Sequence, residues 1–289
     1  MSAQRYAIVT DSACDISRAE LASWGVECVN LRVLDKCGND LVADNDDASI
    51  EAFYDYLETH EELPTTSMPA PALFGEMYAK LAGEGYSAVL SLHMSEEMSG
   101  TVNSARLAAQ SASIPVTCVN LRRNTLTEAL LVKRAAQLRD EGRTLEEVVE
   151  HLEEIIPKSS VVFALDTLEN LVKGGRMGKA ANLVASVLDI KPILMVGQEG
   201  MVNPVSMTKS MKRAISKLTK KLDELVAEIG PLEGCMMHVR NPKACEALRE
   251  SIQGKGIDYT EVSERQVGPI IATHVGLGCV GFSYIPARR

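Results

Sequence analysis

Aromatic residues are scarce in this chain: one Trp, four Phe and seven Tyr among 289 residues. A stacked base or a sugar needs flat side chains to lie against, so the shortage favours a flexible aliphatic ligand. Leu, Ile, Val, Ala and twelve Met can line an adaptable cavity for one. Clustered cations are missing as well. A formal charge of −9 with scattered Lys and Arg argues against a nucleic-acid partner, and the densest group, Lys217, Lys220 and Lys221, reads as the solvated face of a helix. The seven cysteines are widely spaced and include no C-x-x-C pair, which leaves neither a zinc site nor a disulfide framework indicated and makes the cytoplasm the expected compartment. No signal-like apolar run opens the chain, and no segment approaches the roughly 18 apolar residues of a membrane span. Membrane contact is therefore expected to be peripheral at most.

Two catalytic or nucleotide-binding signatures are also absent. The pattern G-x-x-x-x-G-K-[ST] would need glycine at Lys173 and a hydroxyl at Ala180, and no G-x-S-x-G elbow marks a hydrolase nucleophile. A literal G-x-G-x-x-G does occur at Gly276, Gly278 and Gly281. It is a decoy for dinucleotide binding, because no helix is expected after it and the chain ends before an acidic partner about 20 residues on.

What is present is a folded balance, 46% apolar against 24% charged residues over a length sufficient for two ordinary domains. Strand and helix patterns alternate through the first half. Tyr6 to Thr10 is a strand ending in Asp11-Ser12, 26–34 reads as a second, Ser87 to His93 as a third and Ile114 to Val119 as a fourth. A later helix carries the capping box Thr144-x-x-Glu147. This order predicts an α/β fold: an N-terminal Rossmann-like parallel sheet flanked by helices over 1–157, then a mixed α/β domain over 158–289.

The stretch from Phe163 to Gly200 joins the two. A strand, Val161 to Leu165, runs into a helix that meets Gly174-Gly175-Arg176, restarts as a second helix and passes through Lys191-Pro192 into another strand. The glycine pair alone is ordinary helix punctuation. Lys173 and Arg176 bracket it, however, and an anionic head group could sit between two such cations. Hydroxyl-rich loops precede two helices, Thr65-Thr66-Ser67 in one and Ser95 with Ser99-Gly100-Thr101 in the other. One cap needs one hydroxyl, so each loop has donors to spare for a carboxylate or phosphate. Asp11 and Asp15 read equally as helix caps or as ligand groups. Of the five histidines only His274 falls between an apolar segment, expected to be a strand, and a glycine-rich turn, where it could donate to an anion.

Taken in order, Thr10-Asp11-Ser12, Thr65-Thr66-Ser67-x-Pro69, Ser95 with Ser99-Gly100-Thr101, Gly174-Gly175-Arg176, Ile190-Lys191-Pro192-Ile193-Leu194 and Gly268-Pro269-x-x-x-Thr273-His274-x-Gly276 resemble the DegV family, the fatty-acid-binding subunits of bacterial fatty acid kinase. The resemblance runs the length of the chain. It implies a two-domain α/β protein that buries a long acyl chain and holds its carboxylate with Thr65 or Thr66 and Ser95, with His274 and Arg176 nearby and Ser99 as a further candidate. It also implies no cofactor, no chemistry of its own, and a separate kinase protein that phosphorylates the bound acid; an acyltransferase using the acyl phosphate is a further implied partner. The chain departs from the family pattern at Met68, where Gln is usual, and at Glu96 and Glu97, a negative pair that would weaken carboxylate binding unless both point to solvent. Two other readings stand beside this one: an ester- or phosphoryl-transfer enzyme using Ser95 or Ser99 with His274 and an acid such as Asp11, and a regulatory protein whose ligand sets partner binding.

Overall fold

In the computed structural model, which describes residues 5–183 and 190–288, the strands gather into two sheets and one short ribbon. In the first half these are β1 (Tyr6–Asp11), β2 (Val26–Val29), β3 (Arg32–Leu34), β4 (Thr65–Ser67), β5 (Ala88–His93) and β6 (Val116–Asn120). β1, β2, β5 and β6 form a parallel sheet in the order β2-β1-β5-β6. All six residues of β1 and of β5 are buried, as expected of central parallel strands covered on both faces. The expected single strand over 26–34 is two: the chain leaves the sheet at Asn30-Leu31, and β3 pairs antiparallel with β4 instead.

The second half contributes β7 (Ser160–Ala164), β8 (Lys191–Val196), β9 (Val202–Thr208), β10 (Leu232–His238), β11 (Tyr259–Gln266) and β12 (Val280–Pro286) in the mixed order β11-β10-β12-β7-β8-β9. The alternation along β7 shows how this sheet is placed. Val162 and Ala164 pack with the amphipathic helix Met211–Ile229 and the helix Pro242–Lys255, while Val161 and Phe163 face the other way, into a core shared with the first half of the chain. One hydrophobic core therefore runs from Ile8 and Leu90 to Met237 and Ile285.

Three local expectations change. Thr65-Thr66-Ser67 do not cap a helix: they are β4, and the helix Pro71–Gly83 that follows has no side-chain cap. The apolar segment before Gly276 is not a strand but the helix Pro269–Val275, which carries His274 in its last turn. After Gly175 the chain makes a 3-10 turn, Gly178–Leu183, and the remainder of the helix expected there, 184–189, lies outside the described residues. The G-x-G-x-x-G stretch leads into β12, not a helix.

Arg123 ties the halves together. It is 1% exposed, and its guanidinium donates to four backbone carbonyls: Ser159 O at 2.5 Å, Arg122 O at 2.6 Å, Ile156 O at 2.7 Å and Gly197 O at 3.0 Å. Burial lowers its pKa to about 10, which leaves it protonated at neutral pH. Replacing it by Met keeps the apolar stem and strips the side-chain donor from Ser159 O and Arg122 O, while Ile156 O and Gly197 O keep Ser159 N and Gly200 N; each buried carbonyl left unpaired costs about 1–3 kcal/mol. Arg123→Met is expected to lose at least about 3 kcal/mol in urea denaturation; a loss under about 1 kcal/mol would remove Arg123 from this role.

Candidate functional site

A cavity of about 300 Å³ lies between the inner face of the second sheet and the loops at the carboxyl ends of the first. Its walls are apolar, mostly aliphatic and sulfur-bearing: Val161 and Phe163 of β7, Val196 of β8, Met237 of β10, Ile271 of the helix Pro269–Val275, and Met94 after β5. Polar groups gather where β4, the Ser99-Gly100 loop and the Gly174-Gly175 turn meet.

Thr66 and His274 form the centre of that end. Thr66 Oγ1 and His274 Nε2 are 2.9 Å apart, and both residues line the cavity. His274 Nδ1 is buried with no partner and packs against Gly174, where a Cβ would overlap it. The glycine pair thus has two separate reasons. Gly175, at φ 69°, closes the helix Glu169–Gly174 in the left-handed region, and Gly174 makes room for the imidazole. The roles across this bond depend on the tautomer: with the proton on Nε2 the ring donates to Thr66 and leaves the threonine hydroxyl free to donate into the cavity, and with the proton on Nδ1 the hydroxyl donates to Nε2.

Arg176 supplies charge. Its Nη1 donates to Gly174 O at 2.7 Å and its Nε to Met98 O at 3.2 Å, so both bonds go to backbone carbonyls and the guanidinium has no carboxylate partner among the described residues. Burial, and after it the Arg176 charge, lowers the pKa of His274 from 6.5 to about 4. A fixed cation beside a neutral imidazole and a hydroxyl makes this end of the cavity an anion acceptor. Lys173, expected as a second cation, instead pairs with Glu169 on the surface at 2.6 Å.

The other expected residues divide. Ser99 lines the cavity and shares a 2.8 Å hydrogen bond with Thr101. Thr65 is exposed and faces an open cleft outside the cavity, since neighbours on a strand point to opposite sides and Thr66 takes the inner one. Ser95 is fully buried and does not line the cavity; its hydroxyl donates to Gly200 O at 2.8 Å and accepts from Glu97 N at 3.3 Å. Glu96 and Glu97 are both exposed, and Glu96 pairs with Arg106 at 2.6 Å, so the negative pair is turned away from the cavity. Met68, half exposed, covers Gly100 at the mouth.

Asp11 does not join His274. Its carboxylate accepts from Ala13 N at 3.0 Å and Met94 N at 3.2 Å, and lies 3.0 Å from His93 Nδ1, whose Nε2 is 2.7 Å from Ser91 Oγ. This Ser-His-Asp order has the connectivity of a hydrolase triad, but Ser91 is fully buried, lines no described cavity and is also bonded to Tyr78 at 2.9 Å. It is a core network. Sequence reasoning missed it, although Ser91 and His93, two apart on a strand, share a face. It also missed Asn124 and Thr125, which line the cavity from the start of the helix Thr125–Asp140. Among the described residues no cluster of three or more His, Cys, Asp or Glu could hold a metal ion, and no helix is long and apolar enough to cross a membrane.

Fold and site define an α/β protein with a largely apolar cavity that carries an arginine, a histidine and a threonine at one end. The chain belongs to the DegV family: the family model, described as "Uncharacterised protein, DegV family", matches residues 5–287. DegV domain-containing proteins of Deinococcus radiodurans and Halalkalibacterium halodurans are 34% and 31% identical to it, each alignment covering 97% of this chain and 98% of the relative. Among solved structures it is similar to a fatty-acid-binding DegV family protein from Thermus thermophilus (TM-score 0.87, 30% identity, 98% of this chain and 100% of that one). It is also similar to a DegV lipid-binding protein from Thermotoga maritima (TM-score 0.86, 28% identity, 99% and 100%) and to DegV, a fatty-acid-binding protein from Bacillus subtilis (0.84, 27%, 98% and 100%).

Two predictions follow from the geometry around His274. Gly174→Ala forces the imidazole away from Thr66; a loss of about 1–3 kcal/mol is expected, together with a changed His274 ring signal in NMR, and an unchanged signal at wild-type stability would refute the packing account. The second concerns pH. His274 is about 4 when folded and 6.5 when free, so between those values the unfolded chain binds the extra proton and stability rises with pH. Asp15, pushed up to about 7 mainly by burial, works in the opposite direction, its contribution falling as pH rises from 3.8. The difference between wild type and His274→Gln isolates the histidine. The variant should lose less stability than wild type on acidification from pH about 6.5 to about 4, and identical pH profiles would rule out the shifted pKa.

Proposed function

We propose that this protein is a non-catalytic carrier that binds a long-chain fatty acid, tail in the aliphatic cavity and carboxylate against Arg176, Thr66 and His274, with Ser99 at the rim. The observation that carries this reading is the Arg176 guanidinium, without a carboxylate partner among the described residues, at one end of a largely apolar cavity. Fatty-acid binding by the Thermus and Bacillus proteins and lipid binding by the Thermotoga protein support it. Burying a methylene is worth about 0.8 kcal/mol, so a tail of about 14 carbons offers roughly 11 kcal/mol before ordering costs, and the head-group bonds set orientation. The open cleft beside Thr65, Lys173 and His274 lies where a bound carboxylate would be reached from outside. A separate cytoplasmic kinase that forms the acyl phosphate there, and an acyltransferase that uses it, complete the proposal.

The esterase alternative gains no support from the side chains, because His274 bonds to Thr66 while Ser95 bonds to Gly200 and Ser99 to Thr101. Native mass spectrometry of the purified protein, with denaturing lipid extraction, tests the carrier reading. A mass excess matching a fatty acid is expected, and Arg176→Ala should weaken binding about 10- to 100-fold, the value of a hydrogen bond to a charged group. An empty chain that also refuses added acyl ligands would end it.

A further inference from the structure

Two methionines among the described residues are exposed, Met68 at 51% and Met207 at 40%. Of the two, only Met68 lines the cavity. It follows β4 directly, and its sulfur rests on Gly100, where an added Cβ would overlap it. Ser104 of the helix Thr101–Ala109 points its hydroxyl at the same sulfur from 4.0 Å, a weak contact to a weak acceptor. Met94 and Met237, which also line the cavity, are 4% and 1% exposed and so are shielded from solvent. Oxidation turns the flexible apolar side chain of an accessible methionine into a polar one, and at Met68 that change falls on the rim of a ligand cavity.

We propose that Met68 is an oxidation site at the cavity mouth: hydrogen peroxide converts its thioether to the sulfoxide, and the modified protein holds its acyl ligand less tightly. This rests on the fatty-acid reading above. A sulfur lone pair attacks one peroxide oxygen, the S–O bond forms as the O–O bond breaks, and the other oxygen leaves as water after proton transfer. The sulfur loses two electrons and the peroxide gains them. The new oxygen is a strong acceptor and no donor. Gly100 leaves it no room on that side, so it turns either to the Ser104 hydroxyl or into the mouth. The first course draws the apolar cover off the cavity. The second sets an acceptor beside the end where Thr66, Ser99 and Arg176 would meet a carboxylate.

The test uses the full chain with hexadecanoic acid as the probe, titrated by calorimetry before and after dilute hydrogen peroxide, with peptide mass mapping to locate each added oxygen. Met68 and Met207 should be oxidised ahead of Met94 and Met237. Affinity should fall about tenfold, close to the loss of one hydrogen bond to a charged head group, and methionine sulfoxide reductase should restore it. Met207→Leu should show the same fall as wild type, because Met207 lines no part of the cavity. Met68→Leu, a volume-conserving change compared with its own untreated form, should show none. A fall that survives in Met68→Leu, or full oxidation of Met68 with affinity intact, overturns this proposal and leaves the carrier reading standing. Failure of untreated wild type to bind hexadecanoic acid would overturn the carrier reading itself, and this proposal with it.

Discussion

The buried guanidinium of Arg123 is the constraint on which the cavity depends. Three of its four bonds reach the end of the helix Leu145–Ile155, the entry to β7 and the turn between β8 and β9, and the fourth goes to the neighbouring Arg122 O, so one side chain sets the relative position of three distant pieces of the chain. Its backbone continues the join: Arg123 O accepts from Ser95 N at 3.0 Å, and Ser95 Oγ reaches Gly200 O in that same turn. Met94 and Met98 flank Ser95 and line the cavity, while Val196 and Val202 flank the turn and line it from across. Position is thus fixed by hydrogen bonds to carbonyls outside the cavity, which leaves the lining free to be apolar. Charge pairing would not serve as well, because a carboxylate beside Arg123 would bring a second desolvated ion into the same core.

Arg176 is the complementary case. Arg123 donates to four carbonyls in a closed environment; Arg176, half-buried at the cavity's end, donates to two and has no carboxylate partner among the described residues. The two arginines look alike in the sequence and differ in what surrounds them. The same contrast separates the histidines. His93 is held on both nitrogens inside the first sheet, whereas His274 is held on one and left bare on the other, beside a glycine that gives it space. Unpartnered buried atoms also occur in the core, at Thr127 Oγ1 and Glu128 Oε2, so the contrast counts only for a residue that lines the cavity, as His274 does.

Much of this was legible in the chain. The repeated strand-loop-helix pattern gives the parallel sheet, because apolar runs bounded by polar turns have few other ways to bury themselves. Arg176, His274, Thr66 and Ser99 stood out as polar residues at the ends of apolar segments. The choice between Thr65 and Thr66 was not legible: it depends on the register of β4 against β3, and the interruption of the strand at Asn30-Leu31 that frees β3 has no glycine or proline to announce it. Ser95 misled for a related reason. A serine at a strand's end reads as a ligand group, and only the approach of Gly200, 105 residues later, shows that its hydroxyl is already committed. Arg123 likewise gave no local sign of burial, since its partners are all backbone carbonyls and any sequence can supply those.

Asn124 and Thr125 bring the two themes together. They begin the helix that follows Arg123 directly, so the guanidinium that fixes the halves also fixes the start of Thr125–Asp140 against the cavity. A helix anchored that firmly can carry strain at its first residue and leave its cap unused, costs that a free helix end would relieve by fraying. Thr125 passes the constraint on, since its hydroxyl is bound to Asp15, itself at φ 59° and buried at the far side of the first sheet's loops. Two non-glycine residues in left-handed conformations, joined by one 2.6 Å bond, are held there by their surroundings and not by their own preferences. The polar floor of the cavity is accordingly held in place from outside the cavity, and what it can accept is set by the chemistry of the groups it presents.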